Sequence, residues 1–270
     1  MVEDWKVYLE GDTSLSAQNR AIHYLLKSID SHSFHVNKET VKAWENTSSS
    51  EDDIELCKGE LLDSDYGYIW MPGVNTGDSI TQKYFAEHLQ HLIDSLDHDE
   101  LKGWVVDLRN NTGGNCWPML TGIGPILGEG ESGYFKTEEE FDPWIYKDGK
   151  SYQGDFVHCQ IDKSAYQLIN PENPIAVLTS DQTGSSGEII AASFKNRAKT
   201  ILIGTKTAGY STGNANYPLL DGSMMFLTTS IYCDRNKNEY PDGLEPDILV
   251  EQNAIEDIQL EKALNWLRKK

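Results

Sequence analysis

The stretch IAVLTSDQTGSSGEIIAASFK, Ile175 to Lys195, changes character twice along its length. Ile175–Thr179 is a short apolar run of the kind a buried strand requires, and Thr183-Gly184-Ser185-Ser186-Gly187 is a turn. Glu188–Lys195 then reads as a helix, and Thr200–Gly204 (TILIG) follows as a second buried strand. A strand, turn, helix and strand in that order predict a sheet covered by helices, hence a mixed α/β fold. The turn is also where chemistry is expected. A serine between strand end and helix start exposes its hydroxyl, and the unpaired N–H groups of the helix N-terminus can stabilise an oxyanion. Ser185 and Ser186 both fit. The run is not the G-x-S-x-G elbow, because Thr183 stands two residues before Ser185 and Glu188 two after Ser186, and a serine here also serves as an ordinary helix cap.

Upstream, Gly103–Leu108 (GWVVDL) is another short apolar run, followed by DLRNNTGGN from Asp107 to Asn115. Its paired glycines, Gly113 and Gly114, allow close backbone approach and could present N–H groups to a ligand. No G-x-G-x-x-G or G-K-[ST] pattern accompanies them, so a nucleotide site is not indicated. Tyr66–Met71 reads as a further strand and Met224–Tyr232 as another. A helix is expected after Thr13 or Ser14 with Ile22, Leu25, Leu26 and Ile29 on its apolar face. A second, capped near Ser79, places Tyr84, Phe85, Leu89, Leu92, Ile93 and Leu96 inward, and the tail forms an amphipathic helix through Leu267. Residues 128–158 are aromatic and acidic without clear periodicity and read as an insertion or flap.

Composition narrows the function. The chain of 270 residues is 39% hydrophobic, enough for a real core, and 43 acidic against 23 basic residues give a net charge of −20. Such a surface repels phosphate backbones and anionic lipid, which argues against nucleic-acid or membrane-surface binding; it attracts cationic ligands, although an acidic surface more often serves solubility. No run approaches the ~18 apolar residues of a membrane span, and the acidic start is unlike a signal peptide. Four unclustered cysteines (Cys57, Cys116, Cys159, Cys233) fit reduced thiols, so a cytoplasmic location is expected. His88 and His91, three apart on a helix, lack a third ligand and the H-E-x-x-H pattern, so no metal site is expected.

Taken together, VVDLRNNTGGN (105–115), the 175–195 stretch and TILIGTKTAG (200–209), with DGSMMFLTTSIY (221–232) and GLEPDI (243–248) after them, resemble the tail-specific (C-terminal-processing) serine peptidase family. The resemblance implies a crotonase-like ββα spiral core at 61–127 and 159–270. An N-terminal helical lobe at 1–60 and a cap at 128–158 complete the expected organisation, with no PDZ domain and no cofactor. Aligning Thr183 and Glu188 with the family's T-A-S-A-x-E run puts the nucleophile on Ser185. Many members pair it with a lysine, but Tyr210 occupies that position here, and Lys206 lies four residues too early. A branch that includes the tricorn core peptidase and the nisin resistance protein uses an N-terminal histidine instead. His32 in DSHSFH matches it, with Ser31 as its orienting neighbour. A neutral imidazole can take the serine proton and return it to the leaving amine. The implied oxyanion hole is the N–H of Ser186 with that of Gly113 or Gly114, and Glu239 is the candidate acidic support, with Asp242 as its competitor. The expected substrate is a peptide or protein tail. Two other readings use the same fold: an apolar-ligand carrier like the photoreceptor retinoid-binding repeats, and an acyl-CoA enzyme, which would need a basic cluster that the chain lacks.

Overall fold

The computed structural model describes residues 14–29, 32–46, 54–253 and 255–270. The chain divides into two compact units, one formed by Met1–Ser48 with Thr212–Ser230 and the other by Ser49–Ser211 with Ile231–Lys270. Residues 212–230 group with the N-terminal segment because they pair with it.

In the first unit, helix α1 (Leu15–Ile29) begins after Ser14, whose hydroxyl accepts the Ala17 N–H at 3.2 Å. Its buried side is Ala17, Ala21 and Leu26, whereas Leu25, expected inside, is 36% exposed. Strand β1 (Phe34–Val36) is followed by α2 (Lys38–Asn46), which opens with Asn37 Oδ1 accepting the Thr40 N–H. β1 runs antiparallel to the first part of β12 (Met224–Asp234), pairing Phe34 with Phe226, and those two rings stack at 4.5 Å. β11 (Thr212–Pro218) pairs with β12 as well.

The second unit is built on a six-stranded sheet ordered β13-β10-β9-β4-β3-β2. Its strands are β2 (Lys58–Leu62), β3 (Tyr66–Trp70), β4 (Gly103–Asp107), β9 (Ile175–Thr179), β10 (Thr200–Gly204) and β13 (Ile248–Leu249). Only the β2–β3 hairpin is antiparallel. Every residue of β4 and β9 is buried, as parallel strands covered on both faces must be. α3 (Ser79–Leu96), α4 (Cys116–Leu127) and α5 (Ser186–Phe194) supply Phe85, Leu89, Ile93, Met119, Ile123 and Phe194 to the larger core cluster. α6 (Ile258–Leu267) supplies Ala263 and Leu267 to a second cluster with Val105, Ala176, Leu178 and Ile203. Asp78, one residue before the expected cap, starts α3 by accepting the Thr81 N–H at 2.8 Å.

Residues 128–158, where the sequence shows no clear periodicity, are mostly an antiparallel meander. It consists of β5 (Gly130–Lys136), β6 (Phe141–Lys147), β7 (Lys150–Gln153) and β8 (Phe156–Gln160), and β5 also pairs with residues 231–234 of β12. Aromatic residues on both faces hid the period of two: Trp144 and Tyr146 are buried, while Phe156 is 65% exposed.

The far ends of α4 and α5 are closed by guanidinium groups. Arg197 Nε donates to Leu127 O at 2.8 Å and Arg235 Nη2 to Ser193 O at 2.7 Å, so cations meet the carbonyl ends of both helices. Between them Asp234, fully buried, accepts hydrogen bonds from the side chains of Asn196, Asn238 and Tyr240 and from the N–H groups of Asn236 and Asn238. Burial alone would raise its pKa, but the hydrogen bonds, Tyr240 and Asn238 foremost, outweigh that and hold it below the usual carboxylate value. A depressed folded-state pKa contributes stability that is present above the unfolded value and lost as pH falls through the folded one. We expect Asp234→Ala to cost about 3 kcal/mol at neutral pH. In urea melts the gap from the wild type should narrow as the pH is lowered from about 5 to about 3.

Candidate active site

β4 and β9 are neighbours, and each delivers its chain at the same sheet edge into a loop and then a helix. The loop after β4 carries Asp107-Leu108-Arg109, and its side chains are structural. Leu108 is in the core, and Arg109 bridges Asp107 (2.6 Å) and Asp257 (2.7 Å) at the start of α6. Asn111, also fully buried, donates to Pro72 O at 3.1 Å, and its Oδ1 accepts the Gly113 N–H at 3.1 Å. Asn115 then caps α4 by accepting the Trp117 N–H.

The loop after β9 is sewn to this one. Thr183 Oγ1 donates to Leu108 O at 2.9 Å and accepts the Ser180 N–H at 2.9 Å, and the Gly184 N–H reaches Asn111 O at 3.0 Å. Ser185 follows with φ 51° and ψ −117°, a region that L-residues rarely occupy and that costs about 1–3 kcal/mol. What holds it there is Glu188, fully buried, whose Oε2 accepts the Ser185 N–H at 2.9 Å. The other carboxylate oxygen accepts from Thr207 Oγ1 at 2.5 Å and from the Gly209 N–H at 2.9 Å, so one side chain ties the serine turn to the loop after β10. Glu188 stands in an S-x-x-E spacing from Ser185, the sequence signature of a capping box.

The two adjacent serines are distinguished by their surroundings. Ser186 is 6% exposed and its hydroxyl donates to Gly114 O at 2.7 Å, whereas Ser185 is half-buried. Gly113, at φ 113°, passes so close that a Cβ on it would lie 2.9 Å from Ser185 Cβ and 3.3 Å from Ser186 N. The structure therefore gathers Ser185, Ser186, Gly113 and Gly114. The Gly113 N–H is engaged by Asn111, and among the described residues no acceptor takes the N–H of Gly114 or of Ser186. Gly113→Ala should lower kcat/KM for peptide hydrolysis by about 10²-fold, since its methyl displaces the serine from the donors. Steady-state kinetics beside a thermal melt check this.

The other sequence candidates fall as follows. His32 lies in the first unit, just before β1, with Nδ1 2.5 Å from Thr212 Oγ1. Thr212 meets the Thr228 hydroxyl at 3.4 Å, Thr228 donates to Asn214 Oδ1 at 3.1 Å, and Asn214 Nδ2 donates back to His32 O at 3.2 Å. Hydroxyl and amide groups thus link the His32 ring to its own backbone, and Thr212, 180 residues away, had no local signal in the sequence. Ser31, its expected orienting neighbour, lies outside the described residues. Glu239 pairs with Lys136, and the Asp242 carbonyl sits 2.9 Å from where a Gly209 Cβ would be. Lys206 pairs with Glu245 at 3.2 Å, and the Tyr210 ring packs against Gly184, 3.3 Å from its Cβ position. His88 Nε2 lies 3.0 Å from Cys57 O, and no group of three metal ligands occurs among the described residues. All four cysteines are free and buried, and burial pushes the Cys116 thiol up to about 12 and those of Cys159 and Cys233 up to about 11.

Comparison with known proteins adds an independent line. Residues 65–250 match the model of Peptidase family S41. The nisin-resistance protein of Lactococcus lactis subsp. lactis is 28% identical over 253 residues, covering 92% of this chain and 75% of that protein. A carboxy-terminal-processing protease of Bartonella bacilliformis is 26% identical over 195 residues, and there the match covers 71% of this chain but 40% of the relative. Among solved structures, a lipoprotein from Streptococcus agalactiae superposes with a TM-score of 0.75 at 24% identity, covering 98% of this chain and 86% of that one. The photosystem II D1 C-terminal processing protease gives 0.62 at 14% identity, covering 96% and 89%. The mixed α/β fold is thus shared with these proteins, and the chain belongs to peptidase family S41, a family of serine-type peptidases.

Proposed function

We propose that the chain hydrolyses peptides or protein tails through an acyl-enzyme on Ser185, with His32 as general base and then acid. The observation that carries this reading is the geometry at Ser185. It is a half-buried serine in a strained turn at the start of α5, beside the N–H groups of Ser186 and Gly114, which make no other hydrogen bond among the described residues. These two N–H groups are the oxyanion donors in this reading, and Gly113 supplies the close approach. When Thr212 accepts from Nδ1–H of His32, Nε2 is the basic nitrogen, which is the tautomer a general base needs.

The net charge of −20 supports a cationic peptide as substrate. Four buried free thiols support a reducing compartment, and no helix among the described residues is long and apolar enough to cross a membrane. A fluorophosphonate probe at neutral pH tests the site directly. Mass spectrometry should locate the label on Ser185, and Ser185→Ala and His32→Ala should both lose it. Labelling of another residue, or none in the folded wild type, overturns the assignment.

A further inference from the structure

The Gly113–Gly114 backbone that borders Ser185 is also one wall of a cavity of about 220 Å³. Its remaining lining comes from Glu55, from Pro72, Gly73 and Asn75 after β3, and from Asn110 and Thr112 after β4. It therefore opens outside the carboxyl ends of two parallel strands, where open α/β sheets bind ligands. Its volume holds a side chain of the size of lysine or arginine. Gly113 borders both the cavity and Ser185.

The chemistry of the lining is one-sided. It has one carboxylate, two amides and a hydroxyl, and no Lys, Arg or His. Asparagines that hold these loops are engaged: Asn111 donates to Pro72 O at 3.1 Å and Asn115 to Thr76 O at 3.0 Å. By contrast, the side chains of Asn75, Asn110 and Thr112 are exposed and make no hydrogen bond among the described residues. Glu55 meets Lys58 at 3.4 Å, but the two side chains are 59% and 71% exposed, and the Lys58 ammonium also lies 4.6 Å over the Trp70 ring. An exposed pair of that kind is worth about 0–1 kcal/mol, so a ligand cation can claim the carboxylate.

We propose that this cavity is a specificity pocket for a basic side chain of the peptide substrate. Glu55 is its counter-charge, and Asn75, Asn110 and Thr112 are its hydrogen-bond partners. The proposal rests on the peptidase reading above and adds the residue type that the enzyme selects next to the scissile bond.

The test uses N-acetylated, C-terminally amidated fluorogenic peptides in which lysine is walked through the positions around the scissile bond. Each is compared with its norleucine counterpart, which keeps the length and removes the charge. At one position the wild type should prefer lysine by about 10–100-fold in kcat/KM, and Glu55→Gln should reduce that ratio to about twofold. Glu55→Lys should reverse it in favour of a glutamate peptide. A lysine preference that survives Glu55→Gln, or a wild type indifferent to the charge, overturns the proposal. Affinity of the same peptides for the Ser185→Ala protein, read by fluorescence anisotropy, separates the two readings. A lysine preference that vanishes in Ser185→Ala/Glu55→Gln supports the pocket even where turnover fails, and equal affinities reject it.

Discussion

Replacing Ser185 with alanine lowers kcat/KM for peptide hydrolysis by about 10⁵–10⁶-fold while leaving the melting temperature close to that of the wild type. The rate falls because the acyl-enzyme route disappears, and the residual activity is what the oxyanion donors and substrate binding supply alone. Stability is spared because alanine carries the same Cβ into the same φ of 51°, and the Glu188 bond is made by the backbone N–H, which survives. His32→Ala should lose a similar amount, and the double variant little more, because groups that act on one proton transfer are not additive. Ser186→Ala is the internal control. It removes the hydrogen bond to Gly114 O and costs about 1 kcal/mol. It keeps the backbone N–H and so most of the rate. If Ser186→Ala were the inactive variant and Ser185→Ala the active one, the assignment would be reversed. Equal activity in both would remove serine chemistry from this turn.

Which parts were legible in the sequence follows from the range of the forces involved. β4, β9, β10 and α5 were readable because apolar strands, fully buried in β4 and β9 and mostly so in β10, and a short turn write themselves into consecutive residues. Ser185 was readable for the same reason, since a strand-turn-helix junction is local. The β5–β8 meander was not, because both of its faces carry aromatic residues and the alternation that betrays a strand was absent. α1 was found, but its inner face was misjudged: Ala17 and Ala21 are buried where the larger Leu25 is not. Small residues carry little hydrophobic signal yet allow the closest packing. Two kinds of site residue escaped. Thr212, which holds the His32 ring, is brought to it by the pairing of β1 and β11 with β12, and no spacing rule spans that distance. Asn111 looked like part of a glycine turn, although its side chain fixes the Gly113 N–H and so leaves the N–H of Gly114 as the unengaged one.

Glu188→Ala should be the most damaging change in the second unit that leaves every proposed reacting atom in place. Its carboxylate is fully buried and receives three hydrogen bonds, from the Ser185 N–H, the Thr207 hydroxyl and the Gly209 N–H. Thr207 in turn accepts the Leu244 N–H at 2.8 Å, so the network continues into the next loop. Truncation leaves buried donors without a partner and opens a void, for an expected loss of about 3–5 kcal/mol, read as a drop in the urea midpoint. The catalytic consequence is separate. The strained φ of Ser185 is sustained by the bond from its own N–H, and a serine that relaxes out of that conformation moves its hydroxyl away from the donors. A displacement of about 1 Å is enough for a 10²-fold loss. Glu188→Gln distinguishes positioning from bulk stability. It keeps the volume, but one of its two amide positions must face a donor with another donor, either at Ser185 or at the Thr207–Gly209 pair. The folded Gln variant, assayed well below its melting temperature, should acylate with the fluorophosphonate about 10²-fold more slowly, with KM for peptides little changed. A labelling rate within about threefold of the wild type would mean that the serine turn holds its shape without the carboxylate. Glu188 would then be a packing residue.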